Sequence, residues 1–155
     1  MFDESLLTDP TEDVQTYYPP NPTDNPPPPQ AGLVLINAPA VWAAGDSGQG
    51  VLVGNLDDGC DWDHPDLIHN IYNNLGEDAD NDGHTLEWNG SAWVFDPGDV
   101  NGIDNDGNSY IDDFIGWDFQ SGDNNVYNSG SSHGTSTSGI VCGDGTNGTQ
   151  TGVAP

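Results

Sequence analysis

Val51-Leu52-Val53-Gly54-Asn55-Leu56-Asp57-Asp58-Gly59 is the stretch on which the fold turns. A short apolar run closed by Asp-Asp-Gly predicts a buried strand that delivers its last carboxylate to the carboxyl edge of a sheet. In open α/β sheets ligands bind along that edge, so Asp57 is a candidate functional residue. The same position serves equally well as an Asx-turn carboxylate. Asn55 interrupts the run and requires a hydrogen-bond partner if it is buried.

Upstream, Leu33 to Ile36 form an apolar segment that leads into a short helix near Pro39, ended at Gly45. Ser47 to Gly50 make a turn. Residues 1–30 are dominated by Pro and polar residues, culminating in Pro26 to Pro29. They predict a disordered, polyproline II-like linker with too little apolar surface to fold. The folded domain is expected over residues 31–155.

Downstream, Asp63-His64-Pro65-Asp66-Leu67 opens the next element. Residues 70–130 form a tract rich in Asp, Asn and Gly, with short aromatic pieces such as Ala92 to Phe95 and Phe114 to Phe119. A structureless loop of that length counts against a compact domain, so something is expected to order it. His133 to Cys142 predicts a helix of small residues, followed by a Gly-rich turn and Thr151-Gly152-Val153-Ala154-Pro155. A lone His is more often structural than catalytic. A His heading a tight-packing helix, after a strand that ends in Asp, is a better candidate. The carboxylate fixes the imidazole tautomer, and the opposite ring nitrogen acts as general base.

The charge is lopsided. The 155 residues hold 26 acids, no Lys, no Arg and four His, for a net charge of −26. Nucleic acid and anionic membrane surfaces are therefore excluded as partners, since both are held by cationic side chains. The acids are 22 Asp against 4 Glu, and with 21 Gly and 12 Pro they point to loops rather than exposed helix faces. Cys60 and Cys142 are too few for a disulfide framework and are expected to be buried free thiols. No apolar stretch approaches a transmembrane helix, and Met1 to Pro10 lack the apolar core of a signal peptide.

Two tracts resemble calcium loops. Asp78, Asp80 and Asp82 with Gly83 match positions 1, 3, 5 and 6 of an EF-hand-type loop, although position 12 is Asn89. Asp104, Asp106 and Gly107 fit positions 3, 5 and 6 of a second, with Asp113 at position 12 and Gly102 at position 1. The alternative is a solvated acidic loop held by Asx turns. Clustered carboxylates in a chain without Lys or Arg repel one another, which favours at least one bound Ca²⁺. His64 is expected to pack or cap near the first strand, His69 and His84 to lie on the surface. Trp88, Trp93 and Trp117 are expected to anchor the acidic tract.

Val53 to Gly59 followed by His64-Pro65-Asp66-Leu67 resembles the Asp motif of subtilisin-like serine peptidases (subtilases). His133-Gly134-Thr135 with Gly139, then Gly152-Val153-Ala154-Pro155, resembles their His motif and the segment after it. Leu35 to Pro39 through Trp42 is similar to the start of their catalytic domain. Asn101 to Asp113, leading to Gly116-Trp117-Asp118-Phe119, is similar to an insertion of many bacterial members, placed here at about 76–115. The resemblance implies a three-layer α/β parallel-sheet domain, present as its N-terminal half. It also implies a serine endopeptidase acting on protein or peptide substrates, and secretion. Asp57 would be the catalytic Asp and His133 the catalytic His. The nucleophilic Ser and the oxyanion-hole Asn would lie beyond Pro155, in the remainder of the catalytic domain, and the 155-residue chain alone would be inactive.

Two positions depart from the family pattern. Asp58 stands where Ser or Thr is usual, and a second carboxylate beside Asp57 could perturb the pair. Ser136 stands where His is common. Gly134-Thr135-Ser136 imitates the family's nucleophile motif, but Ile140 occupies the place of its Pro, so Ser136 is not expected to be the nucleophile. A calcium-stabilised, non-catalytic binding module derived from a protease is the alternative from another functional class.

Overall fold

The computed structural model describes residues 30–127, 133–146 and 151–155. Apart from Gln30, the expected linker lies outside them. Helix α1 (Ala31–Leu35) and helix α2 (Ala38–Ala43) are separated at Asn37, whose φ of 64° is left-handed, a conformation Asn tolerates better than most residues. Pro39 sits in the first turn of α2, where no amide is missed. The indole of Trp42 donates to the carbonyl of Val153 at 2.9 Å, tying α2 to the last described segment.

Val51 to Asp57 departs from expectation. It forms no strand, and Val51, Leu52 and Leu56 are 68%, 68% and 93% exposed. The physical reason is pairing. A strand's stability comes from its neighbours and from the layers on its faces, and no described strand lies beside this segment. The sheet that is present has two antiparallel strands, β1 (Leu86–Trp88) and β2 (Trp93–Phe95), with Leu86 opposite Phe95 and Trp88 opposite Trp93. Both belong to the acidic tract, and the described residues contain no parallel pair.

The core lies between this hairpin and the loops around it. Phe114 and Leu67 are buried, and so are Leu86 and Ile68. Trp62 stacks on Phe95 with centroids 5.2 Å apart, and Phe95 meets Phe114 at 5.1 Å. This aromatic chain anchors the tract to the Asp57 side of the molecule. Trp88 and Trp93 pair edge-on across the hairpin, and Trp117 packs on Tyr110.

Helix α3 (His133–Cys142) forms as expected. Its last carbonyls are closed by the returning chain: Gly152 N–H donates to Gly143 O, Val153 N–H to Ile140 O and Ala154 N–H to Val141 O, at 2.7 to 2.9 Å. A Cβ at Gly152 would stand 2.7 Å from backbone atoms of Val141, Cys142 and Gly143, so the return requires glycine. No helix among the described residues is long and apolar enough to cross a membrane.

Candidate active site

The segment from Asn55 to Asp61 is zipped along the first turns of α3, and small side chains make this possible. Asn55 Nδ2 donates to Gly134 O, Thr137 Oγ1 and Ser138 Oγ at 3.2, 3.0 and 2.9 Å. The polar interruption of the apolar run is thus hydrogen-bonded, although Asn55 is exposed rather than buried. The Asp61 amide donates to Thr135 Oγ1 at 2.9 Å. Gly134 is buried where the two segments touch. A Cβ there would run into the Gly59 carbonyl and lie 3.1 Å from the Asp57 Cβ.

This zipper brings Asp57 and His133 together across 76 residues of sequence. His133 Nδ1 lies 2.7 and 2.8 Å from the two carboxylate oxygens of Asp57. Asp57 is held in turn by its neighbours: the Asp58 amide donates to Oδ1 at 2.8 Å and the Thr137 hydroxyl to Oδ2 at 3.0 Å. The Asp57 side chain is 14% exposed, whereas the His133 ring is 72% exposed. The carboxylate is thus fixed beneath an imidazole whose outer face meets solvent. The bond from His133, then the Asp58 amide and the Thr137 hydroxyl, hold the Asp57 carboxyl down at about 2, against the usual 3.8. The same bond to Asp57 pushes His133 above its ordinary 6.5, with a smaller push from the charge of Asp58. Because Nδ1 is engaged with a carboxylate, Nε2 is the nitrogen placed for proton transfer.

Asp58 does not compete for the imidazole nitrogen that Asp57 holds. Its Oδ1 accepts the Gly134 amide at 3.0 Å, capping the N-terminus of α3 from a distant segment. That is where a negative charge is stabilising. The acid standing in the family's Ser/Thr position therefore does a capping residue's job. Ser136 lies exposed on α3, one turn from His133 on the same helix.

The other histidines divide among small contacts. His64 Nδ1 accepts the Asp66 amide, His69 pairs with Asp144 at 2.8 Å, and His84 lies between Asp82 and Asp96. Cys60 and Cys142 are half-buried free thiols, both pushed up by burial.

The acidic loops are built alike, the first in the expected register and the second in a different one. Asp78 accepts the amides of Asn81 and Asp82 on Oδ1 and Gly83 on Oδ2. Asp104 does the same with Gly107, Asn108 and Ser109. Asp104 is therefore the counterpart of Asp78 and occupies position 1, not 3. Asn81 (φ 64°) and Gly107 (φ 77°) are left-handed at the fourth position, Gly83 (φ 93°) and Ser109 (φ 80°) at the sixth. Of the six candidate ligands, Asp78 and Asp80 come together, joined by Asp99. Asp106 and Asp113 come together, joined by Glu77. Asp82 stands instead with His84 and Asp96, and Asp104 is in none of these groups. Asp99 and Glu77 were not singled out from sequence. Burial pushes both carboxyls up. Glu77 accepts amides of Asn105, Asp106 and Asp112, which makes it the pin of the second loop.

The sequence profile of the Subtilase family matches residues 48–155. A 40-residue segment is 48% identical to the major intracellular serine protease of Bacillus subtilis (strain 168), covering 26% of this chain and 12% of that protein. The chain thus aligns with a small part of that relative's length. No solved structure matches it. With well over half of its length matched by the family profile, the chain belongs to the Subtilase family.

Proposed function

We propose that this chain is the N-terminal half of a subtilisin-type serine endopeptidase domain, with a three-layer parallel-sheet α/β architecture when complete. Asp57 and His133 are two of its three catalytic residues. The observation that carries this reading is the bond from His133 Nδ1 to a carboxylate already fixed by Asp58 and Thr137. The nucleophilic Ser and the oxyanion-hole donor belong to chain beyond Pro155.

The chemistry follows from the pair. His133 Nε2 takes the proton of the Ser hydroxyl as its oxygen attacks the scissile carbonyl, and a tetrahedral oxyanion forms. Asp57 stabilises the resulting imidazolium, which returns the proton to the leaving amine and leaves an acyl-enzyme. Water then repeats the sequence and releases the acid. The substrate is a protein or peptide.

The test is to express the chain together with the translated continuation of its gene and assay peptide hydrolysis and fluorophosphonate labelling. The expected result is turnover that Asp57→Asn lowers by about 10⁴-fold in kcat, the usual cost of losing the orienting carboxylate. His133→Ala should be at least as severe, and the 155-residue chain alone should neither turn over substrate nor be labelled. A continuation without a reactive Ser would overturn the assignment.

A further inference from the structure

Asn89-Gly90-Ser91 belongs neither to the catalytic pair nor to the acidic loop clusters. It has the form Asn-x-Ser with x other than Pro, the acceptor signature for N-linked glycosylation. So short a signature also arises by chance, and its structural setting decides whether it can serve. An acceptor must stand at the surface, with its side-chain nitrogen open to an incoming sugar. Of the other Asn-x-Ser/Thr stretches, Asn21-Pro22-Thr23 is blocked by its Pro, and Asn147-Gly148-Thr149 lies outside the described residues.

Asn89 meets both requirements. It follows β1, and its backbone amide donates to Ala92 O at 3.1 Å, so Gly90 and Ser91 are the tip of the hairpin. Gly90 is left-handed at φ 98° and Ser91 is not, the pattern of a type II′ turn. Asn89, Gly90 and Ser91 are all exposed. The turn also fixes the acceptor side chain. Asn89 Oδ1 accepts the Ser91 amide and the Ser91 hydroxyl, each at 2.9 Å, and the Ala92 amide at 3.0 Å. Backbone amides only donate, so the carboxamide oxygen must face them and Nδ2 must face away. Nδ2 meets no acceptor among the described residues. The hydroxyl and the carboxamide that the signature requires together are thus in contact within one exposed turn.

We propose that Asn89 is an N-glycosylation acceptor, modified by an oligosaccharyltransferase that draws its glycan from a lipid diphosphate carrier. Asn89 Nδ2 forms the new bond to the anomeric carbon of the transferred sugar. The bond from that carbon to the diphosphate oxygen breaks, its electron pair leaves with the lipid diphosphate, and one Nδ2 proton passes to a base of the transferase. The product is a bulky, solubilising group at the hairpin tip. Asn89 is not among the residues lining the groove beside Asp57, and the inference stands whether or not the chain is half of a peptidase.

The test incubates the native 155-residue chain with a purified oligosaccharyltransferase and its lipid-linked oligosaccharide, and reads intact mass followed by peptide mapping. The expected result is a mass increase of one glycan on the peptide that carries Asn89. Asn89→Gln and Ser91→Ala should each lose that adduct, whereas Ser91→Thr, which keeps the hydroxyl, should retain it. Asn147→Gln should leave it in place, which separates the two signatures. A synthetic peptide spanning residues 86–95 is the unfolded comparison. Modification of that peptide but not of the native chain would overturn the proposal, because the turn would then hide its acceptor. A transferase that modifies its own standard peptide and neither of these would overturn it too. So would full modification of Ser91→Ala, since the hydroxyl held against Asn89 would then play no part.

Discussion

The pair at the head of α3 acts on pH through two groups shifted in opposite directions. Asp57 is lowered from 3.8 to about 2, so its contribution to stability is present above 3.8 and lost as pH falls through about 2. His133 is raised above 6.5, so its contribution is complete below 6.5 and lost as pH rises through the raised value. The interaction is therefore whole between about pH 4 and 6.5. In the proposed mechanism base catalysis needs the neutral ring and is expected only above that window. An NMR titration of the His133 ring separates the causes. Asp57→Asn should bring its pKa down toward 6.5, and Asp58→Asn should lower it less, because Asp58 acts on the ring only through space. Equal shifts in the two variants would mean that the general acidity of the chain, not the bond to Asp57, raises the histidine.

At the scale of elements, α3 and the Asp57 segment are held by contact so close that one methyl group decides its sign. In an ordinary helix interior Gly→Ala gains about 0.8–1.0 kcal/mol. Gly139 is such a position, with open space where a Cβ would stand, and Gly139→Ala should raise the urea midpoint accordingly. At Gly134 the added carbon meets the Gly59 carbonyl and the Asp57 Cβ, and overpacking of about 1–3 kcal/mol outweighs the helix gain. Gly134→Ala should lower the midpoint and loosen the Asp57–His133 bond. Matching effects at the two glycines would sink this account. The same scale shows what was legible in sequence. Helix α3 and the two ends of the Asp57–His133 bond could be read because each lies in a local motif at an element's end. The register of the second loop was misread because Gly107 imitates Gly83, while the conformation at the sixth position is carried by Ser109 (φ 80°). Asp99 could not be singled out, since its approach to Asp78 and Asp80 depends on a hairpin returning the chain and on burial that no local pattern encodes. The run from Val51 to Asp57 has the composition of a strand, but composition does not supply the partner on which a strand depends.

For the whole molecule, that unpaired run is the largest discrepancy between pattern and structure, and it has a direction. Val53 lines an open groove with Trp117, Phe119, Tyr127, Val141 and Ala154, beside Asp57. Phe119 is 74% exposed and Leu56 93%. Exposed apolar side chains gathered in one groove, here among acidic and polar neighbours, are a surface that a partner or further chain commonly covers. In the proposed domain the cover is further parallel strands and the layer packed on them, which would turn Val51 to Asp57 into the strand its composition predicts. Among the described residues Val51 N–H bonds to Gly48 O, and the amides from Leu52 to Asp57 have no backbone acceptor. Hydrogen exchange distinguishes the two states. In the 155-residue chain the amides from Leu52 to Asp57 should exchange within about tenfold of unprotected rates, as frayed segments do. In the chain extended beyond Pro155 they should slow by at least about 10³-fold, as amides of a central strand do. Fast exchange in the extended, active protein would mean that this segment is not part of the sheet. Asp57 would then be positioned by its bonds to α3 alone.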